Sequence, residues 1–526
     1  MRRASAVPAW LLLVVSGAAA LPYFLSFVAW RLAAILRDGR FSLLLAGMDR
    51  GYYAGRLHTA LLAWSVVLPL LAVCWWGIAR CWGTLGASGS ARPWRMVAPV
   101  LAVAASALLV PRYRTGDEPA YLLMADSLVT RGTFSSETAR EEVHRSQVSR
   151  PEENRSVHGV GLSMILALPV RVLGNPGAAA TTLAIAIACL VMVRRNVAET
   201  VGTEVADLVA GSVAVSFPLL TFAPLALPEL AGALGFAVVL SQVLHRREVT
   251  LASAASVVAL PWFHVRFLPG VAWLVLVGLV RVRSRRSAVS LLVVPLVASL
   301  VVMGFAHQRW FGSPWPSAMW AGRKGLIDLS RVLPGAVGLM VDQQYGLLVW
   351  APLFLLITLG SARLWRRSPG EACVFAILAA VTVGPALLAV WYGGWSPAGR
   401  YLVPLLAPLA VLAALGLEAA LQGQRADRVL AGAILAAQLG IGAICALLPD
   451  KVYGTMPEPA RNYFLDLAQR LTHLDSRWIL PAVAADGNRW PSVVHAAVLV
   501  ATWLAASALW WGRLDRHAKG PRAERP

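Results

Sequence analysis

Charge is scarce in this chain, and acid is scarcer still. Only 14% of the 526 residues are Asp, Glu, Lys or Arg, against 58% hydrophobic, and the mean hydropathy is +0.64. A soluble domain carries about 25% charged and about 45–50% apolar residues. The shortfall excludes a disordered chain, a coiled coil and a soluble enzyme with a tail anchor, and points to a polytopic membrane protein. Acids number 27 against 47 Lys and Arg, a net charge of +20. In a soluble protein that excess would suggest a nucleic-acid partner. Here most of it sits in short clusters between apolar runs, where the positive-inside rule puts it, so a nucleic-acid partner is excluded. Cysteine is sparse as well. Cys74, Cys81, Cys189, Cys373 and Cys445 are scattered without metal spacing, so no disulfide framework or zinc site follows. The sequence has no internal repeat and no low-complexity tract.

What is present is apolar sequence almost end to end. Runs long enough to cross a bilayer, or nearly so, fall at roughly 9–30, 59–79, 95–111, 160–193, 205–223, 228–244, 249–263, 268–281, 287–306, 346–362, 371–391, 402–421, 428–448 and 492–511. They predict an all-α protein with about fourteen transmembrane helices and helical outer loops. The clusters Arg2/Arg3, Arg92/Arg95, Arg194/Arg195, Arg246/Arg247, Arg281 to Arg286, Arg363/Arg366/Arg367, Arg425/Arg428 and Arg513/Arg516 belong on the cytoplasmic side. The alternation closes if 160–193, broken by Pro169, Gly174 and Pro176, is a re-entrant or kinked piece followed by one span. Both termini are then cytoplasmic. Arg31, Arg37, Arg40, Arg50 and Arg56 fit poorly outside, and suit an interfacial amphipathic segment. The N-terminus resembles a signal peptide, but its apolar run continues to Trp30, which reads as an uncleaved anchor. Outer loops fall at roughly 112–159, 307–345 and 449–491.

The outer segments hold the polar residues that could do chemistry. In Arg112-Tyr113-Arg114-Thr115-Gly116-Asp117-Glu118-Pro119-Ala120-Tyr121, two carboxylates stand at a predicted helix start beside two arginines. Asp117 suits an N-cap, Pro119 a first turn, and Gly132 the helix end. Asp117 and Glu118 read either as a capping acid and its solvated neighbour, or as a general base and its partner. As metal ligands they are too few to argue a site, and a divalent metal stays open. His144 and His158 share the loop without metal-ligand spacing. Outward basic residues contradict the charge trend: Arg266 beside His264, Arg323-Lys324, and Arg400. Either they snorkel to lipid phosphates or they hold an anionic head group. Trp391-Tyr392-Gly393-Gly394-Trp395 leading to Arg400 reads as an aromatic belt or as a sugar platform, with glycines permitting close approach. Asp342-Gln343-Gln344-Tyr345 and Glu229 after Pro228 read as helix caps or as cavity lining.

Taken together, these segments resemble the GT-C superfamily of membrane glycosyltransferases, within it the protein-mannosyltransferase and aminoarabinose-transferase-like branch and its bacterial members. The resemblance rests on Gly116-Asp117-Glu118-Pro119-x-Tyr121, Val157-His158-Gly159-Val160-Gly161-Leu162, Phe311-Gly312-Ser313-Pro314, Asp342-Gln343-x-Tyr345-Gly346-Leu347-Leu348 with Ala351-Pro352, and Trp395-Ser396-Pro397-x-x-Arg400. It covers roughly 95–420. It implies a catalytic membrane module over 95–420 that includes outer loop 112–159. Residues 1–94 are then additional N-terminal spans, and 421–526 are C-terminal spans with outer loop 449–491. It implies a bacterial plasma-membrane enzyme that takes a sugar from a polyprenyl-phosphate donor on the extracytoplasmic face. Asp117 would act as the base with Glu118 beside it, Arg400, Arg266, Arg323 and Lys324 would hold the donor phosphate, and Tyr121, His158, Glu229, His264, Asp342, Gln343, Tyr345 and Trp395 would line the pocket. Branch members often carry the acidic motif after the first span, whereas here two more spans precede it. No outer loop is long enough for the mannosyltransferases' β-trefoil insert, which favours a glycan or lipid acceptor over a protein one. The competing reading is a multi-span transporter or lipid flippase. It would place ionisable groups in mid-membrane and show repeat symmetry, whereas the charges here lie mostly at span ends and no repeat is found. A scaffold for envelope assembly and a polymerase using lipid-diphosphate donors are the remaining alternatives. A periplasmic-type reporter fused after Tyr121 is expected to be active, and the same reporter after Arg286 inactive. The reverse pattern overturns the orientation.

Overall fold

The computed structural model describes residues 65–74, 76, 94–109, 117–134, 158–314, 328–388, 390–394, 396–447 and 479–519, with five positions between 462 and 473. Among them every regular element is a helix. In chain order these are α1 Ser65–Cys74, α2 Trp94–Leu109, α3 Glu118–Arg131, α4 Gly161–Leu173, α5 Asn175–Val201, α6 Thr203–Ala214, α7 Glu229–Leu240, α8 Leu251–Phe263, α9 Leu268–Arg281, α10 Arg285–Phe311, α11 Val332–Val341, α12 Ile357–Arg367, α13 Pro369–Leu387, α14 Arg400–Gln422, α15 Arg425–Leu447 and α16 Trp490–Lys519.

Six of these are long and apolar enough to cross a membrane: α5, α10, α13, α14, α15 and α16. The expected fourteen crossings are not reached among the described residues. The reason is local. Several apolar runs are interrupted before they extend the roughly 20 residues that a bilayer core requires. The run at 228–244 gives α7 with a π-helical continuation to Arg246, whose last turn is polar, and those at 249–263 and 268–281 give helices of 13 and 14 residues separated by His264 and a 3-10 turn. The run at 160–193 divides at Gly174, whose φ of +62° turns the chain between α4 and α5. The two helices meet so closely there that a Cβ on Gly177 would lie 2.1 Å from the Pro169 carbonyl oxygen. One face of α4, with Met164, Ile165, Leu168, Val172 and Leu173, is exposed.

The arginines expected on one side do gather at one end. Arg194 pairs with Asp207 at 2.7 Å, Arg195 with Glu199 at 3.1 Å, and Arg246 with the same Glu199 at 3.7 Å. Arg367 donates to the Thr200 carbonyl at 3.0 Å, and Arg281 reaches Glu371 at 3.5 Å. Arg366 pairs with Asp515, and Arg513 with Asp427. The helix ends at 199–201, 246, 281, 363–371, 427 and 513–515 are therefore neighbours.

At the opposite end the helices are broken. Backbone freed inside an apolar protein must find partners, and Gln438 of α15, fully buried, supplies several of them. Its Nε2 donates to the Phe217 carbonyl at 3.1 Å and to Ser216 Oγ at 2.5 Å, while its Oε1 accepts from Leu353 N at 3.1 Å. One amide thus satisfies two separate breaks.

The frame around the broken end is tight. In α14, 83% of the spanning window is buried, against 17% in α16, so α14 is central and α16 peripheral. α14 meets α12 through glycine: a Cβ on Gly360 would lie 1.7 Å from the Leu412 carbonyl oxygen. Close backbone approach through small residues is how helices associate without a hydrophobic drive. Gly360→Val is expected to destabilise the chain by about 3 kcal/mol or more, since backbone cannot yield to overpacking. Gly440→Ala, where nothing lies within 4 Å, should be neutral. Unfolding in detergent compares the two, and equal stability would exclude this packing.

Candidate functional site

Five chain segments meet at the broken end, each delivering one or two polar side chains from a helix start or an interruption. Asp117 precedes α3, whose first turn contains Pro119 and whose end is Gly132 at φ +68°, donating to the Leu128 carbonyl. The carboxylate of Asp117 makes no capping hydrogen bond. It turns instead to Arg400, with Oδ2 at 2.6 Å from Nη2. The capping reading of Asp117 is therefore corrected, because a buried guanidinium is a stronger partner than helix-end amides.

Arg400 opens α14 and is 4% exposed. It donates from Nε to Glu229 Oε1 at 2.5 Å and from Nη1 to the Gly393 carbonyl at 3.2 Å. Gly393 has φ +81°, and a Cβ there would lie 3.0 Å from Arg400 Cδ, so glycine is required beside this side chain. Glu229, the first residue of α7, is wholly buried, and the same Oε1 also accepts from Arg266 Nη2 at 2.5 Å. Arg266 lies in the break between α8 and α9 and stacks over Phe267 and Tyr401, 5.1 and 4.9 Å from the ring centroids. The result is an alternating chain of charge, Asp117–Arg400–Glu229–Arg266. It runs from a partly exposed carboxylate, 31% accessible, into the protein.

Two histidines flank the chain. His158 Nε2 is 3.7 Å from Asp117 Oδ1, and its ring lies 5.2 Å from that of Tyr121. His264 Nδ1 accepts from Arg266 N at 3.1 Å. Burial, then the charges of Arg266 and Arg400, hold the His264 imidazole well below its usual range. For Asp117, burial pushes the carboxyl up, but Arg400 and His158 outweigh it and hold the group below the ordinary carboxylate range. Burial raises the Tyr121 phenol, and Asp117 and Glu229 add to that.

The structure thus brings together Asp117, Tyr121, His158, Glu229, His264, Arg266 and Arg400. It turns Glu118 elsewhere: its Oε1 accepts from Ala226 N at 3.3 Å and it is 3% exposed, anchoring the loop that leads into Glu229. Glu118 is therefore neither the solvated acid nor the direct partner of Asp117 that its position suggests. Asp342, Gln343 and Tyr345 form a neighbouring polar group. Asp342 accepts from Gln344 N and Tyr345 N at 2.9 Å and from Ala484 N at 3.1 Å. Burial pushes its carboxyl up to about 6 against the pull of those amides. The Gln343 carbonyl accepts from Asn462 at 2.9 Å. Tyr345 links this group to the site, its carbonyl accepting from Gly399 N at 3.0 Å. Arg323, Lys324 and Trp395 lie outside the described residues, as do Arg112, Arg114 and His144. Among the described residues no group of three His, Cys, Asp or Glu could hold a metal ion.

Sequence reasoning underrated Glu229 and gave the expected outer loop 449–491 no part in the site, although its 481–488 stretch supplies Ala484 to Asp342 and Asn488 to Trp391 at 3.0 Å. A lone acid after Pro228 inside an apolar run was the available signal for Glu229, since a buried carboxylate needs a cation. The loop carries no comparable signal.

No protein-family model matches the chain, and no curated protein matches it. Among solved structures it is similar to the archaeal oligosaccharyltransferase AglB from Archaeoglobus fulgidus, in complex with an inhibitory peptide and a dolichol-phosphate. The identity is 13% over 69% of this chain, with a TM-score of 0.41. The chain spans 56% of the length of that structure's chain. At such an overlap the chemistry has to be argued from this chain's own side chains.

Glu229 holds two cations on one oxygen, so its removal leaves both uncompensated. Glu229→Gln is expected to destabilise the chain by about 3–5 kcal/mol. Pairing it with Arg266→Gln should restore part of the loss, because one stranded charge is removed. Detergent unfolding curves of the single and double variants test this, and an additive loss would break the charge-chain description.

Proposed function

We propose that the chain is a membrane glycosyltransferase that moves a sugar from a polyprenyl-phosphate donor to a glycan or lipid hydroxyl at the extracytoplasmic face. The single observation that carries this reading is the Asp117–Arg400–Glu229–Arg266 chain at the end where the helices are broken, opposite the arginine-rich end. An acid at the mouth and cations behind it are what transfer from a lipid phosphate requires. The acceptor oxygen attacks the anomeric carbon while Asp117 takes its proton. The bond from that carbon to the phosphate oxygen breaks, and the departing lipid phosphate gains charge that Arg400 and Arg266 stabilise in a site of low dielectric. The long tail stays in lipid and only the phosphate reaches the cluster. Glu229 acts through the arginines, holding both guanidinium groups in place. Glu118 fixes the loop that carries Glu229.

A transporter would also account for broken helices, but it would show repeat symmetry, and the sequence has no internal repeat. The test is transfer from radiolabelled polyprenyl-phosphate sugars in membranes that contain the chain. Asp117→Asn is expected to lower the rate at least about 100-fold, the scale of a lost general base. Undiminished transfer removes Asp117 from the role. No transfer from any such donor, together with net solute flux into vesicles, replaces the reading with the transporter one.

A further inference from the structure

Each nitrogen of the Arg400 guanidinium has a partner inside the protein: Nε donates to Glu229, Nη1 to the Gly393 carbonyl and Nη2 to Asp117. The three partners are not equally replaceable. Glu229 is wholly buried, and Gly393 is backbone pinned by a positive-φ turn. Only Asp117, the partly exposed one, stands where a group from outside can take its place. Two more buried donors of the same cluster, Tyr121 Oη and Arg266 Nε, have no hydrogen-bond partner among the described residues. Tyr121 is fully buried and within electrostatic reach of Asp117, Glu229, Arg400 and Arg266. Buried donors without acceptors are costly. Glu229 Oε2 is likewise without a partner, so neither carboxylate of the cluster satisfies these two donors, and they call for the oxygens of an added anion.

We infer that the Asp117 carboxylate occupies the place of a ligand's phosphate group, so that an arriving phosphate takes Arg400 Nη2 from Asp117 and sets the carboxylate free. The exchange is purely ionic: one anion replaces another on the same guanidinium, and no covalent bond changes. Tyr121 Oη and Arg266 Nε then meet the remaining phosphate oxygens. Only the fate of the freed carboxylate, as the base toward an acceptor hydroxyl, rests on the glycosyl-transfer reading. While tied to Arg400, Asp117 is a poor base. The groups that face it are Arg400, His158, His264 and Tyr121, with Glu118 adjacent in sequence. The arrangement makes the base available only once the donor phosphate is seated.

The measurement is binding of farnesyl monophosphate to the purified full-length chain in detergent, with inorganic phosphate and farnesol as separate arms. Self-occupation reduces apparent affinity by the fraction of free sites, so Asp117→Asn is expected to bind farnesyl monophosphate about tenfold tighter than the parent. Arg400→Gln is expected to bind it at least about tenfold more weakly. A gain seen equally with inorganic phosphate assigns the site to the phosphate group alone. A gain confined to farnesyl monophosphate assigns it to a lipid-borne phosphate. Equal or weaker binding by Asp117→Asn overturns the inference, as does an equal gain with farnesol. Asp117→Ser serves as the second variant. In the parent chain itself, farnesyl monophosphate should speed hydrogen exchange over residues 117–121 as Asp117 lets go, and uniform protection there overturns the inference too. Failed sugar transfer with the exchange intact would sink only the function. Intact transfer without the exchange would sink only this inference.

Discussion

One carboxylate oxygen holds the broken end of this molecule together. Glu229 Oε1 accepts from both Arg266 and Arg400, and Arg400 passes the charge on to Asp117. The four side chains carry two negative and two positive charges, so the cluster is neutral as a whole although each member is expensive to bury. Neutrality is what permits such a group inside an apolar protein. Replacing buried ion networks by apolar residues is often neutral or stabilising, so stability alone does not account for this one. It stands where local rules of apolar packing are broken, which is where function is expected to sit.

The rest of the architecture serves that end. Each member of the chain stands at a helix start or in a break, which brings short side chains from distant segments within reach of one another. The breaks expose backbone that a lipid-facing helix would have satisfied, and Gln438 repairs two of them with one amide. Among the described residues the opposite end is made of helix ends and the turns between them. There the helices end in arginine and are tied by ion pairs such as Arg194–Asp207 and Arg363–Glu418. The two ends differ: one is fastened by pairs between helix tips, the other holds one continuous charge chain.

Much of this was legible in the residues. The apolar runs announced an all-helical membrane protein, the Arg clusters announced a shared end, and Pro119 and Gly132 bounded α3 correctly. Gly174 was readable as a breaker. Span counting failed where short apolar runs were counted as crossings: those on either side of the turn at His264 give helices of 13 and 14 residues, well short of the roughly 20 that a bilayer core requires. Asp117, Arg266 and Arg400 were singled out because charge in an outward segment needs a reason. Their pairing was not legible. Arg400 stands 283 positions from Asp117 and 171 from Glu229, and spacing carries no information across such separations. Glu118 misled for the opposite reason. Adjacent in sequence to Asp117, it points the other way because successive residues at a helix start diverge by about 100°.

The exposed face of α4 has a further consequence. This 13-residue helix shows Met164, Ile165, Leu168, Val172 and Leu173 on its outside, is too short to span a bilayer, and bears Arg171. Ser163 of the same helix donates to the Tyr121 carbonyl at 2.9 Å. Any shift of that apolar face is therefore passed, through one hydroxyl, to the turn that carries Asp117.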